Sequence, residues 1–211
     1  MSDRRALESP LAAALTEPRD APPRSDEVGV DLLENAFKGY LNLRGNPHDS
    51  AFSTAAEGVL GFGLPARPNT VAGATRPSLT GVTACWLGPD EWMVITPSDL
   101  QTELIAELQQ ATIELHVGVT DLTGGYTAIN LHGSRPRDLL AKGCTFDLHP
   151  RNFGPGQCAQ TNVGKTSVLV IPESNDIDHQ CFEVIVRRSF ADYLFRWIEH
   201  EAAEYGLRIG E

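Results

Sequence analysis

The sequence predicts an α+β fold made of two related modules with mostly antiparallel sheets. A degenerate internal repeat supports this, since Leu43 and Gly45 end one strand-like run while Leu131 and Gly133 end another. In both halves that run is followed by a helix, three further strand-like runs and a closing amphipathic helix. The shared order β-α-β-β-β-α predicts hairpins covered by helices, which is typical of the α+β class.

Three segments are expected along the 211 residues. Residues 1–27 are rich in Pro, Ala, Arg and Asp, with one apolar island at Leu7 and residues 11–15, and they form a candidate N-terminal arm. This arm is expected either to order on a partner or to stay disordered. Residues 28–112 form the predicted first module, and residues 113–211 form the second.

The elements of each module follow from hydrophobic periodicity and from turn residues. The first module is predicted to contain a strand over 40–44, a helix over 50–58, strands over 69–73, 81–87 and 91–96, and a closing helix. The second is predicted to contain a strand over 126–132, a helix that starts at Ser134, strands over 157–163, 167–171 and 181–186, and a closing helix. A further strand over 114–121 is expected to link the modules.

The two closing helices are predicted to start at serine N-caps, Ser98 with Gln101 three residues later and Ser189 with Asp192. Both helices are amphipathic, and their apolar stripes are predicted to face the core. The stripes consist of Leu100, Leu104, Ile105 and Leu108 in one helix and of Phe190, Tyr193, Leu194, Trp197, Ile198 and Tyr205 in the other.

Composition excludes several classes of partner. The formal net charge is −11, with 17 Lys and Arg scattered among 28 acidic residues, so clustered phosphate contacts to nucleic acid are not expected. No signal peptide or run of eighteen apolar residues is apparent, and the protein is predicted to be cytoplasmic without a membrane partner. The four cysteines lie in or beside apolar runs and are expected to be reduced core thiols, at Cys85, Cys144, Cys158 and Cys181.

Catalytic and cofactor signatures fail when they are tested against the sequence. Gly164-Lys165-Thr166 resembles the end of a phosphate-binding loop, but Ala159 stands where that loop needs glycine, so a hairpin turn is predicted. There is no Gly-x-Gly-x-x-Gly after a strand, no Gly-x-Ser-x-Gly elbow and no metal-binding spacing of histidines. We therefore predict no catalytic, cofactor-binding or metal-binding residue in this chain.

Three local motifs carry two readings each. Asp147 and His149 could act as an acid–base pair, or they could stabilise a structural turn. The turn is favoured because the segment is flanked by proline. In Lys142-Gly143-Cys144, the lysine could activate the cysteine thiol. Alternatively, a helix ends at Gly143 and Cys144 points inward, and this second interpretation is favoured. Trp86 and Trp92 pack across a hairpin or anchor an interface, and cross-strand packing is favoured.

A series of spaced motifs resembles a known family, the gamma subunit of heterotetrameric bacterial sarcosine oxidase. The resemblance covers about residues 28–205, in which the motifs occur in the family's order. They are WLGPDEW at 86–92, VTDLT at 119–123, DLLAKGC at 138–144, DLHP at 147–150, GQCAQT at 156–161, FEV at 182–184 and RSFA at 188–191, with Tyr193, Leu194 and Trp197 after them.

That family is similar in turn to the folate-binding aminomethyltransferase fold of the glycine cleavage T-protein, whose duplicated modules agree with the repeat. In the T-protein-like pattern, a strand like 158–161 leads through a glycine turn to paired aspartates that serve one-carbon transfer. Here Gly164 is followed by Lys165, Thr166, Ser167 and Val168, so those carboxylates are missing. The resemblance therefore implies a shared fold without the chemistry.

The resemblance implies a complex that demethylates sarcosine oxidatively to glycine, with hydrogen peroxide as a product. It further implies that a noncovalent FAD, a covalent FMN, a bound NAD and tetrahydrofolate lie on the alpha and beta subunits. The alpha, beta and delta subunits are the expected partners of this chain. The chain itself is expected to bind none of the cofactors and to stabilise the assembly.

The alternative is a stand-alone folate-binding protein of the T-protein type, either an iron-sulfur assembly factor or an aminomethyltransferase. Lys142-Gly143-Cys144 resembles part of the assembly factors' signature, but its usual continuation is replaced by Thr145, Phe146 and Asp147. An aminomethyltransferase needs a carboxylate near the folate amine and normally a third domain, and neither is evident in this chain.

Overall fold

The computed structural model describes residues 8–16, 28–174, 176 and 178–210, and in this part of the chain two β-sheets are covered by helices. A short 3-10 helix spans Pro77–Leu79. In chain order the other elements are α1 (Ala12–Thr16), β1 (Val30–Asn35), β2 (Gly39–Arg44), α2 (Ser50–Leu60), β3 (Val71–Gly73), β4 (Thr83–Gly88), β5 (Glu91–Thr96), α3 (Gln101–Ala111), β6 (Gly118–Asp121), β7 (Tyr126–Gly133), α4 (Pro136–Ala141), β8 (Ala159–Val163), β9 (Thr166–Ser174), β10 (Gln180–Arg187), α5 (Arg188–Ala202) and β11 (Leu207–Ile209).

The first sheet has the strand order β3-β4-β5-β2-β6, and the second has the order β11-β1-β7-β10-β9-β8. Neighbouring strands are antiparallel except for β1 and β11. The predicted α+β class with largely antiparallel sheets is confirmed. The predicted repeat is also present, because β2-β5-β4-β3 in one sheet corresponds in order to β7-β10-β9-β8 in the other.

The repeat includes a strand exchange that periodicity did not reveal. Strand β1 precedes the first repeat but pairs with β7 in the second sheet, where Leu32 lies opposite Leu131. Strand β6 precedes the second repeat but pairs with β2 in the first sheet, where Val119 lies opposite Leu43. The sheets therefore divide the chain differently from the predicted modules 28–112 and 113–211, since each sheet contains one strand from the other module.

The two sheets pack face to face, and helices cover their outer faces. Helices α2 and α3 lie on the first sheet, where Trp92, Phe52 and Leu104 share a buried cluster. Helices α4 and α5 lie on the second sheet around Phe182 and Leu194. A third cluster joins the facing surfaces of the sheets and contains Tyr40, Cys85, Met93, Ile95, Ala128, Cys158, Leu169, Ile171 and Ile185.

Several predicted details were wrong. Ser98 and Ser189 do not cap the closing helices, whose N-cap residues are Leu100 and Arg187. Asp99 has a left-handed φ of 69°, so α3 starts after it. Helix α5 follows β10 directly, and the Arg188 N–H donates to the carbonyl of Gly125 (3.0 Å) instead of to a side-chain cap.

The predicted core stripe of α5 is only partly buried. Leu194 and Ile198 are fully buried, and Trp197 is partly buried against them. Phe190 and Tyr193 are 47% and 38% exposed, because they lie at the edge of the apolar stripe, beside the buried Leu194. Their assignment to the core was wrong.

The described part of the N-terminal arm packs on this chain. Leu11 is buried among the residues under α5, and the Ser9 hydroxyl donates to the carboxylate of Glu34. Leu11 and Ala14 in this segment thus belong to the second module's core, and ordering of the arm on a partner stays a prediction. Residues 1–7 and 17–27 of the predicted arm lie outside the described residues.

A buried ion pair lies where the chain crosses between the sheets. Lys38 stands in the connection from β1 to β2, and its ammonium group contacts the carboxylate of Glu183 in β10. The two side chains are 18% and 6% exposed, so water solvates neither fully. Burial and the charges of Glu183 and Glu34 also raise the pKa of Tyr40, which lies in the same interface.

We predict that Lys38→Met lowers the free energy of unfolding by about 3 kcal/mol, because it leaves the Glu183 carboxylate buried without its partner. The double variant Lys38→Met/Glu183→Leu recovers most of that loss, since no charge remains in the interface. Urea unfolding followed by tryptophan fluorescence measures both values. Arg196→Met, which breaks an exposed pair with Asp192, is the matched control and costs about 1 kcal/mol or less. An equal loss in the control and in Lys38→Met would contradict the prediction.

Gly133 generates a second stability prediction, since it ends β7 with a φ of 124° and a Cβ there would overlap the carbonyl oxygen of Gly29. Gly133→Ala is expected to cost about 3 kcal/mol, because both backbones must shift. Gly58→Ala is the control, since Gly58 lies within α2 with open space around it, and it stabilises by up to about 1 kcal/mol. Thermal unfolding of both variants measures the contrast, and a Gly133→Ala variant as stable as the original chain would refute it.

Candidate functional site

The cleft between the two sheets is the candidate functional site. It has a volume of about 590 Å³ and is partly open to solvent. Its polar lining comes from both sheets, so its shape depends on how they face each other. The polar residues are Asn42, Glu91 and Thr120 from the first sheet and Gln160, Thr161, Asn162, Ser167 and Arg187 from the second.

The carboxylate on the first-sheet wall is held by its neighbours. The Asn42 amide on β2 donates to Glu91 at the start of β5 (2.7 Å), and Arg44 lies 3.6 Å from the same carboxyl group. Strand pairing explains this contact, since Arg44 lies directly opposite Glu91 in the ladder. The Glu91 carboxylate is therefore a structural acceptor.

The opposite wall is held in the same way. The Gln160 amide donates to the carbonyl of Leu87 in the first sheet (2.8 Å), so it bridges the two sheets at the cleft edge. The Ser167 hydroxyl donates to the amide oxygen Oδ1 of Asn162 across the β8–β9 hairpin (2.9 Å). The guanidinium of Arg187 lies 6.0 Å from the centre of the Tyr126 ring.

The lining sets the chemistry that the cleft can perform. Among the residues that line it in the described part of the chain there is one carboxylate, Glu91, one cation, Arg187, and neither histidine nor cysteine. General acid–base and nucleophilic catalysis both require an activated group within hydrogen-bonding reach of a partner that exchanges its proton. The described lining can hold a polar molecule but presents no such pair. Over the described residues, no group of His, Cys, Asp and Glu is arranged to bind a metal ion.

The Asp147 and His149 motif forms a turn outside the cleft. Asp147 accepts hydrogen bonds from the Asn152 amide (2.6 Å) and from the His149 backbone N–H (2.9 Å), and these bonds lower the pKa of its carboxyl group. His149 Nδ1 accepts from the Arg151 N–H (3.2 Å). The buried guanidinium of Arg137 donates to the carbonyl of Phe153 in the same loop (3.2 Å) and also to that of Leu148. The favoured reading, a structural turn, describes these contacts.

Lys142 and Cys144 point to different neighbours. Lys142 forms ion pairs with Glu201 (3.3 Å) and Glu204, near the end of α5. The Cys144 thiol lies 3.5 Å from the Thr161 hydroxyl and packs partly buried against the second core. Helix α4 ends at Ala141, close to the predicted end at Gly143. The Lys142 ammonium group is thus paired with carboxylates and not with the Cys144 thiol. The contacts of the motif are those of a helix end.

The two tryptophans lie opposite each other in the β4–β5 hairpin. Trp92 is buried, its indole N–H donates to the carbonyl of Pro65 (2.8 Å), and its ring lies 5.8 Å from that of Phe52. Trp86 is partly buried against the same cluster. Cross-strand packing is confirmed for this pair, and the alternative of an interface anchor is wrong for Trp92.

Gly164-Lys165 is the predicted hairpin turn. It joins β8 to β9, and Gly164 has a φ of 58°.

The cysteine prediction holds only in part. All four thiols are free, but only Cys85 and Cys158 are fully buried, where they meet between the sheets, whereas Cys144 and Cys181 are partly exposed. Contact with Cys158, together with burial, raises the pKa of the Cys85 thiol.

The cleft residues carry no motif that sequence reasoning could have recognised. Asn42 stands between Leu41 and Leu43, so strand alternation alone places it on the face away from the α2 and α3 core. Which residues pack against that face depends on the strand exchange, and the exchange can be recognised only from strand pairing between distant parts of the chain.

No helix in the described residues is both long and apolar enough to cross a membrane.

Comparison with solved structures gives two informative matches. A chain of heterotetrameric sarcosine oxidase from Corynebacterium sp. U-96, in complex with pyrrole 2-carboxylate, aligns with a TM-score of 0.79 and 29% identity, over 97% of this chain and 99% of that one. Glycine cleavage system aminomethyltransferase T from Bartonella henselae aligns with a TM-score of 0.62 and 12% identity, over 86% of this chain and 48% of that one. The second match shows a shared fold only.

Sequence comparison agrees. The sarcosine oxidase subunit gamma of Corynebacterium sp. strain P-1 is 33% identical over 83% of this chain and 81% of its own length. That of strain U-96 is 30% identical over 97% of this chain and 95% of its own length. A model of the sarcosine oxidase, gamma subunit family matches residues 44–204. The chain belongs to the sarcosine oxidase gamma subunit family.

Proposed function

We propose that this chain is the gamma subunit of a heterotetrameric sarcosine oxidase and that it supports the reaction by assembly, without a catalytic residue of its own. The observation that carries the proposal is the match to a chain of the Corynebacterium complex over nearly the full length of both chains. The aligned part covers 97% of this chain and 99% of that one.

The proposed reaction of the complex is the oxidative demethylation of sarcosine to glycine, with hydrogen peroxide and transfer of a one-carbon unit to tetrahydrofolate. We place FAD, covalent FMN, NAD and tetrahydrofolate on the alpha and beta subunits, and we propose these two and the delta subunit as partners in the cytoplasm. The lack of a glycine-rich dinucleotide fingerprint in this sequence supports that division of work.

The cleft does not fit a one-carbon transfer site. Such a site needs a carboxylate free to orient or protonate an amine. The carboxylate among the described lining residues, Glu91, is engaged by Asn42 and lies beside Arg44. Gly164 is followed by Lys165 and Thr166 where the related pattern has aspartates. These residues favour an assembly subunit over the alternative of a stand-alone folate enzyme.

Purification of the tagged chain from cells that express its proposed partners tests the subunit assignment. We expect two larger flavin-bearing chains and one small chain to co-elute, with flavin absorbance in the visible spectrum and peroxide formed from sarcosine. The same chain expressed without the partners is the control and is expected to be colourless. A colourless monomer recovered from cells that contain the partners would exclude the assignment and favour a stand-alone folate binder.

A second test addresses the absence of a catalytic group. In the assembled complex, Glu91→Gln is expected to leave kcat and KM for sarcosine within about twofold, because loss of a true acid or base lowers the rate by about 10² or more. Asp90→Asn is the matched control, since Asp90 adjoins Glu91 and pairs with the exposed Arg44. A hundredfold fall in kcat for Glu91→Gln alone, with the complex intact, would assign a catalytic role to the cleft.

A further inference from the structure

We infer that the first half of α5, with the neighbouring hairpin turn, binds an acidic surface of another subunit of the complex. This inference rests on the proposed function, since it names the surface through which the chain assembles. The surface, called the α5 patch below, consists of the aromatic residues Phe190 and Tyr193 and the cations Lys165, Arg188 and Arg196.

Exposed aromatic side chains are grouped on α5. Five large apolar residues in the described part of the chain are strongly exposed, and Val28, Phe37 and Ile113 are separated along the chain. Phe190 and Tyr193 instead lie one turn apart on α5. Single exposed apolar residues are ordinary, whereas adjacent aromatic ones are enriched at the centres of protein interfaces.

The folded chain does not need these two aromatic side chains in its core. The adjoining face of α5 already buries Ala191, Leu194, Phe195 and Ile198 against the second sheet. Phe190 therefore keeps nearly half of its surface in water while its neighbours complete the core. Removing such area from water on binding is favourable in proportion to the apolar surface covered.

Part of the patch is held in place before any partner binds. The Tyr193 hydroxyl accepts a hydrogen bond from the Lys165 backbone N–H (3.0 Å). A side chain at Gly164 would lie 2.8 Å from that hydroxyl and 3.2 Å from the Trp197 ring, so the turn fits closely against the helix. A rigid aromatic anchor loses little conformational entropy on binding, which favours affinity.

The charge of the patch identifies the chemistry of the partner. The whole chain has a net charge of −11, yet residues 188–197 and the hairpin turn carry three cations and one carboxylate, Asp192, which pairs with Arg196 (3.1 Å). Local positive charge in an acidic protein is complementary to an acidic protein surface. Nucleic acid is disfavoured, because the rest of the chain would repel it.

The position of Arg188 at the start of α5 also favours an acidic partner. Arg188 is the first residue of α5, and no acidic residue stands in the first turn. A cation at a helix N-terminus is unfavourable for the isolated helix, because the helix dipole is positive there. The Arg188 guanidinium donates to the carbonyl of Gly124 (3.4 Å), which positions this group without neutralising its charge. Carboxylates of a partner would meet both Arg188 and the N-terminal helix dipole.

The test uses the full complex, with the tagged chain coexpressed with the other subunits. We expect Phe190→Ser and Arg188→Glu each to raise the dissociation constant for the other subunits at least tenfold, and Arg188→Glu to weaken the salt dependence of assembly. Ile113→Ser is the matched control, because Ile113 is 72% exposed at the end of α3, outside the patch, and assembles normally. Circular dichroism of each purified variant verifies that it is folded.

The outcomes separate this inference from the proposed function. If the original chain fails to recover the larger subunits, the proposed function fails. If the original chain assembles and both Phe190→Ser and Arg188→Glu assemble as well as Ile113→Ser, the α5 patch is not the binding surface. Should Phe190→Ser fold poorly, Arg188→Glu decides the matter, since its side chain is exposed and its replacement removes no apolar packing.

Discussion

The exchange of one strand between the two repeats is the constraint on which the rest of the structure depends. Strand β1 extends the second sheet beside β7, and β6 extends the first sheet beside β2. Each exchanged strand pairs with the first strand of the other repeat. Without it, the backbone N–H and C=O groups on that side of the strand would be unpaired at the edge of the sheet. Neither sheet is therefore complete without residues of the other half, and the two halves are expected to fold as one cooperative unit.

The same exchange brings the inner faces of the sheets together and decides what can lie between them. The interface is mainly apolar, and its buried charges, Lys38 and Glu183, are paired with each other. At its open end the polar side chains are likewise engaged, as in the contact of Asn42 with Glu91. A scaffold of this kind can retain a fold that other proteins use for catalysis while its own polar groups serve structure.

The proposed role in assembly would be carried by the outer surface. There, α5 combines exposed aromatic rings with cations on a chain that is otherwise acidic. Because α5 packs directly on β7 and β10, a partner bound there would be fixed relative to the second sheet. Stability of the fold and geometry of the assembly are thus linked through one helix.

The sequence by itself determined the fold class, the repeat and most element positions, because these follow from local periodicity and turn chemistry. Strand β5 was predicted with its observed bounds, and Gly164-Lys165 was correctly assigned as a turn. Only the tertiary structure decided the strand exchange, the Lys38–Glu183 pair and the exposure of Phe190, because each depends on contacts between residues far apart in the chain. Helix periodicity places Phe190 on the edge of an apolar stripe, but how far the second sheet extends beneath that edge is a property of packing alone.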